Sequence, residues 1–271
     1  MIPFLTLALG TLVGFSLGLT GGGGAIFAVP ILVYALGVPA REAVGISLLT
    51  VGFTSLIGFL QRARQGWVEF PTGLLFAIAG MLGAPIGSKL ADLIPETALL
   101  GAFALLMLII AGRLWIKAKA STAPLPVVVD ENQGPTCRRD PEGRLRLTSQ
   151  CAMLLGALGL STGVLTGMFG VGGGFIIVPA LVTFAGMGMQ RAIGTSLLVI
   201  TLVSLSSAVS HFLAGKELGL HTAALFTSGS ILGLFVGSGV AKRLAGPTLQ
   251  RTFAVSILLV AAYVLLRTVF R

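Results

Sequence analysis

The residues best suited to hold a ligand are two runs of glycine set inside apolar sequence. Gly21, Gly22, Gly23 and Gly24 form one; Gly170, Gly172, Gly173 and Gly174 form the other, and Pro30 and Pro179 follow at matching distances. Consecutive glycines are poor helix formers, each costing about 1 kcal/mol against alanine. A break of that kind frees backbone N–H and C=O groups, which hydrocarbon tolerates only where protein or a water-filled cavity satisfies them. The breaks are therefore expected to be buried. Without Cβ atoms they let main-chain N–H groups approach a ligand closely, and the start of the half-helix that follows carries partial positive charge. Two such breaks facing each other, with Thr20 bordering the first, would make a cradle for a small anion.

Hydroxyls follow each run: Ser47, Thr50, Thr54 and Ser55 after the first, Thr195, Ser196, Thr201 and Ser204 after the second. A hydroxyl can donate to an oxyanion, or it can bond a carbonyl of its own helix. Ser47, Thr50, Thr195 and Ser196 are the candidates for the first role, because Ser47 and Ser196 share the pattern G-x-S-L-L. His211, in SAVSHFLAGKE, is the histidine embedded in a long apolar segment. At membrane depth an ionisable group points to function; near a segment end it can also snorkel or be capped.

The composition says what must position these residues. Of 271 residues 55% are hydrophobic and 10% charged, with a mean hydropathy of +1.00. A soluble domain carries about 25% charged residues to face water, so the chain is expected to be an integral membrane protein, all-α and polytopic. Its net charge of +9 does not imply nucleic acid, because the basic residues stand singly or in small groups between apolar runs. That distribution fits positive-inside loops. The apolar runs cover 4–19, 25–36, 43–60, 72–90, 98–116, 151–169, 175–188, 192–214, 221–240 and 249–270. A spanning helix needs about 20 residues; whether the first two runs of each half cross is left open by their length. About eight transmembrane helices are expected, within a range of six to ten.

The runs repeat. Sliding the first half by 149 positions lays Gly10, Gly14 and Gly18 over Gly159, Gly163 and Gly167, and Gly21, Gly23 and Gly24 over Gly170, Gly172 and Gly173. Pro30 then falls on Pro179, and Ser47 on Ser196; after a one-residue insertion Gly83, Gly87 and Ser88 fall on Gly233, Gly237 and Ser238. The chain divides into a first membrane repeat (1–116), a Pro-rich charged linker (117–149) and a second membrane repeat (150–271). The regularly spaced glycines, including Gly229, Gly233 and Gly237, read as small-xxx-small packing faces. The consecutive ones read as unwound turns.

Orientation follows from Lys and Arg in short loops. Lys117, Lys119, Arg138, Arg139, Arg144 and Arg146 place the linker in the cytoplasm, and alternation then puts Arg62, Arg64, Arg191, Lys242, Arg243 and Arg251 on the same side. This needs an odd number of crossings per half, hence repeats of inverted topology. Parallel repeats are the alternative, and Arg267 and Arg271 favour it.

Other chemistries find no support. Neither glycine run leads into Lys-Ser/Thr, so no Walker A is present, and neither a βαβ fingerprint nor H-E-x-x-H occurs. Cys137 and Cys151 have no ligand-like spacing and suggest neither a zinc site nor a disulfide framework. All nine acidic residues lie in loops or at segment ends. Cation carriers usually need a carboxylate at depth, so an anion is the favoured substrate. No enzyme activity, cofactor or metal is expected. The expected partners are a small anionic substrate and the lipid bilayer, without nucleic acid, and a homo-oligomer stays open.

The paired segments GLTGGGGAIFAVPILVYALGVPAREAVGISLL and GMFGVGGGFIIVPALVTFAGMGMQRAIGTSLL, closed by GAPIGSKLADLIP and GLFVGSGVAKRLAGP, resemble the TauE/SafE family of sulfite exporter-like membrane permeases. The likeness covers nearly all the chain outside the linker. It implies a plasma-membrane transporter, by its name an exporter, that moves sulfite, organosulfonates or other small sulfur-containing anions. Alternating access around a central site is the expected mechanism; a passive anion channel using the same site is the alternative. The chain departs from strict symmetry at Val171, which stands where the first half has Gly22.

Overall fold

The computed structural model describes residues 2–22, 24–95, 98, 99, 101–103, 105, 106, 108, 149–214 and 219–241. Gly23, the linker up to residue 148 and the run 249–270 lie outside the described residues, as do Lys216, Lys242, Arg243 and Arg251. Every regular element described is helical. The first half gives α1 (Ile2–Thr20), α2 (Ala25–Pro30), α3 (Ala40–Ala63) and α4 (Phe70–Leu93). The second gives α5 (Ser149–Phe169), α6 (Gly174–Thr183), α7 (Met189–Leu213) and α8 (Leu220–Ala241).

The punctuation acts as its chemistry requires. α1 stops where Gly21 turns left-handed at φ 71°, and α5 stops at Gly170 with φ 70°. Pro30 has no N–H to donate, and α2 loosens after it into a π-turn over Ile31–Ala35. α1, α3, α4, α5, α7 and α8 are long and apolar enough to cross a bilayer. The second apolar run of each half is not: Ala25–Ala35 spans 11 residues and α6 spans 10. At 1.5 Å per residue each reaches roughly half of the ~30 Å hydrocarbon layer.

α3 and α7 form the centre. Their apolar windows are 67% and 78% buried, against 33–44% for the other four spans. They run antiparallel, since Gly52 faces Leu205 and Gly58 faces Leu197. On one flank α1 packs along α8, and on the other α4 packs along α5, so each flanking pair takes one helix from each half. Both pairs are parallel. Gly10 and Gly14 abut the carbonyls of Phe226 and Ser230, and Gly159, Gly163 and Gly167 abut those of Phe76, Gly80 and Ala84. Bare glycine Cα atoms allow this approach, which a bilayer rewards through dispersion and weak Cα–H···O contacts, there being no hydrophobic drive between helices in lipid. Phe4, Leu12, Leu82, Ile86, Met153, Leu232 and Val236 face outward, as a lipid-solvated surface requires.

Two sequence expectations need correction here. Arg62 is not a loop residue: it lies in the last turn of α3 and is buried to 7% exposure. Cys151, fully buried near the start of α5, is disulfide-bonded. The apolar run 43–60 ends two residues before Arg62, whereas the helix continues to Ala63.

The packing reading of the spaced glycines is testable. A Cβ on Gly163 would overlap the Gly80 main chain, whereas one on Gly156 in the same helix meets nothing within 4 Å. Gly163→Val should destabilise the purified protein by about 1–3 kcal/mol or more, as overpacking against backbone does. Gly156→Val should leave the thermal midpoint nearly unchanged.

Candidate functional site

Both glycine runs fold as elbows, and the elbows meet. α1 ends beside the start of α7, where Gly21 packs on Ile193; the chain then turns back, and Gly22 reaches the level of Ile200. α5 ends beside the start of α3, with Gly170 against Val44, and Gly172 turns inward to Val51 and Ile200. Gly22 and Gly174 touch main chain to main chain: a Cβ on Gly22 would stand 2.7 Å from the Gly174 Cα. Such an approach is open only to glycine. Positive φ angles at Gly22 (143°), Gly172 (67°) and Gly173 (62°) make the same demand. The elbows differ in detail, because Gly24 is right-handed at φ −64° while its repeat mate Gly173 is left-handed. Val171 is buried at the position where the first elbow uses Gly22.

A pair of reciprocal hydrogen bonds ties each elbow to the other half. Ser47 Oγ donates to the Gly170 carbonyl at 2.6 Å, and Ser196 Oγ to the Gly21 carbonyl at 2.6 Å. Ser196 Oγ also lies 2.8 Å from the Ile193 carbonyl and shares its proton between the two. All four residues are buried. The two bonds are related by the same offset that relates the repeats. In this conformation the single proton of each serine is committed to backbone, so Ser47 and Ser196 hold the elbows in place.

The remaining candidates divide. Thr20 Oγ1 bonds back to the Ser16 carbonyl at 2.8 Å within its helix. Thr50 Oγ1 lies 2.9 Å from Thr227 Oγ1 on α8. Thr195 Oγ1 accepts the Glu69 backbone N–H at 3.0 Å, linking α7 to the start of α4. His211 is buried at 2% exposure in the last turn of α7, about 22 Å along that helix from Ser196. Gly23 lies outside the described residues. The geometry therefore gathers Gly21, Gly22, Gly170, Gly172, Gly173, Gly174, Ser47 and Ser196 at the elbows, while the hydroxyls of Thr20, Thr50 and Thr195 bond other groups and His211 lies far along α7.

Further polar groups line this core. Thr54 and Ser55 on α3, Ser204 and Ser207 on α7 and Ser230 on α8 are buried, and among the described residues their hydroxyls have no hydrogen-bond partner. Leaving a buried hydroxyl unpaired costs about 1–3 kcal/mol, so five on the three inner faces ask for an explanation. Ser204 Oγ lies 3.4 Å from where a Gly172 Cβ would be, next to the second elbow. Ser55 and Ser204 are repeat mates at the same offset of 149, a signal the sequence carried and the choice of the G-x-S-L-L serines passed over. Thr201, by contrast, bonds its own helix at the Leu197 carbonyl.

Comparison with known proteins agrees with this architecture. The sulfite exporter TauE/SafE family matches residues 6–264. A probable membrane transporter protein of Xylella fastidiosa is 35% identical over 268 residues, covering 97% of this chain and 95% of its own. The probable membrane transporter protein YunE of Bacillus subtilis is 27% identical over 273 residues, covering 98% of each chain. The sulfite exporter TauE/SafE family protein 1 of Arabidopsis thaliana is 32% identical over 122 residues, covering 44% of this chain and 27% of that one. No solved structure gives a significant match. A duplicated elbow at the centre of six apolar helices, matched by a family pattern from residue 6 to residue 264, settles the kinship: the chain belongs to the sulfite exporter TauE/SafE family.

Proposed function

We propose that this protein is a secondary transporter of small sulfur-containing anions, sulfite or organosulfonates, working by alternating access across the plasma membrane, and as an exporter by analogy with the family's name. The observation that carries the reading is the meeting of Gly22 and Gly174, with Ser204, whose hydroxyl has no partner among the described residues, beside the neighbouring Gly172. Main-chain and hydroxyl donors are gathered there at the centre of the bundle. An oxyanion accepts from such donors without a metal or a cofactor. The acidic residues Glu42, Glu69 and Asp92 sit at helix ends. The names of the relatives from Xylella fastidiosa and Bacillus subtilis, each a probable membrane transporter protein, support the same class. A passive channel through the same site is the second reading, and flux distinguishes them.

The halves are proposed to be inverted repeats. α1 and α8 are parallel while α3 and α7 are antiparallel, so corresponding helices of the two halves point in opposite directions, which supports this. The bodies that move would then be the mixed flanks, α1 with α8 and α4 with α5, rather than the sequence repeats themselves. The linker is assigned to the cytoplasm by its six basic residues. The Cys151 disulfide pulls the other way, since such bonds persist on oxidising faces; the larger charge bias decides. A membrane-impermeant maleimide applied to intact, reduced cells should leave Cys137 unlabelled; labelling would move the linker outside.

Purified protein in liposomes should carry sulfite with saturable flux and trans-stimulation; large unitary currents would instead favour the channel. Two serine substitutions separate structure from binding. Ser204→Ala removes a hydroxyl that bonds nothing among the described residues, so it should leave the thermal midpoint unchanged while weakening half-saturation by sulfite about threefold to tenfold. Ser196→Ala frees the Gly21 carbonyl and should lower stability by about 1–3 kcal/mol. If Ser204→Ala transports like wild type, the anion does not sit at the second elbow.

A further inference from the structure

Arg62 is not used by the elbows, yet it is the most buried charged side chain described. It occupies the last turn of α3 at 7% exposure. Its Nη1 donates to Gln190 Oε1 at 2.8 Å, across the boundary between the halves, and among the described residues no carboxylate pairs with it. A neutral amide cannot compensate an ionised guanidinium taken out of water, and a buried cation without a counter-charge is costly. Gln190 belongs to the first turn of α7, a 25-residue helix whose N-cap Gly188 offers no side-chain cap. The positive end of that helix therefore adds to the charge of Arg62 rather than offsetting it. Gln61, Arg64 and Gln65 line an open groove at the same end of α3, an approach from outside the bundle.

The repeat gives Arg62 a counterpart. The offset of 149 that relates Ser47 to Ser196 lays Arg62 over His211. Both are buried in the last turn of a central helix. Because α3 and α7 are antiparallel, the two residues stand at opposite ends of the pair, roughly 25 Å apart along the axis.

Building on the transporter reading, we infer that Arg62 is an anion-binding residue at one mouth of the central helix pair, the counterpart of His211 at the other. Its guanidinium fork, with the Gln190 amide and the start of α7, suits the oxygen face of a pyramidal sulfite or a tetrahedral sulfonate, which it would grip with two parallel N–H···O bonds. The anion supplies the charge that the protein withholds. From there it passes inward to the first elbow, since Gly21 packs on Ile193 one turn further along α7.

The test uses the full-length protein in detergent and in liposomes, with sulfite and methanesulfonate as probes. Arg62→Gln should raise the half-saturating concentration of both about tenfold or more, and Arg62→Lys should recover part of that loss. Gln190→Glu places a carboxylate on the guanidinium. It should raise the thermal midpoint without ligand while abolishing most of the anion-induced stabilisation, a result that a purely structural Arg62 does not give. If wild type transports and responds to both anions but Arg62→Gln and Gln190→Glu keep its half-saturation, the inference is overturned and the transporter reading stands. If wild type moves and binds neither anion, both fall.

Discussion

A carbonyl released from a helix inside hydrocarbon has to find a donor. The left-handed turns at Gly21 and Gly170 release such groups at the ends of α1 and α5. Ser196 and Ser47 answer them, each from the opposite half of the chain. These two bonds satisfy the freed carbonyls from within the protein, as a break at membrane depth requires where no water reaches it. Everything central follows from that constraint: the broken helices must be buried, the burying helices must carry serines at the matching height, and the two breaks are drawn to the same place.

Close backbone approach does the rest. Glycine faces on α1, α4, α5 and α8 let parallel helices lie against each other's carbonyls, and they bring α3 and α7 into the interior. Those central helices then hold hydroxyls that no group among the described residues satisfies. In a soluble core such groups would be a defect. On the transport function proposed above, donors left uncommitted by the fold are the ones available to the anion.

Much of this was legible in the residues. The apolar runs located the helices within a few positions, because in a bilayer the hydrophobic stretch and the helix are nearly the same object. The glycine clusters located the elbows, since four small residues in succession serve no packing face. Reading failed where a charge or a hydroxyl changed meaning with its partner. Arg62 stands just past an apolar run and reads as a loop charge, while the partner that its guanidinium finds, Gln190, lies 128 residues away. Ser47 and Ser196 were recognised as a pair, but their acceptors are main-chain carbonyls across the molecule, which no local spacing encodes. The short second runs were ambiguous in sequence because their apolar character is the same as that of a spanning helix, and only length distinguishes them.

The mixed flanking pairs have a consequence for how the chain is made. Synthesis delivers α1 and α4 long before α8 and α5, the helices against which their glycine faces close. The nascent amino-terminal half therefore waits in the bilayer with its seams open to lipid, and assembly is completed only when the last helices leave the ribosome and slot between those already inserted. Severing the gene between the halves would yield two fragments that are each unfinished but mutually complementary.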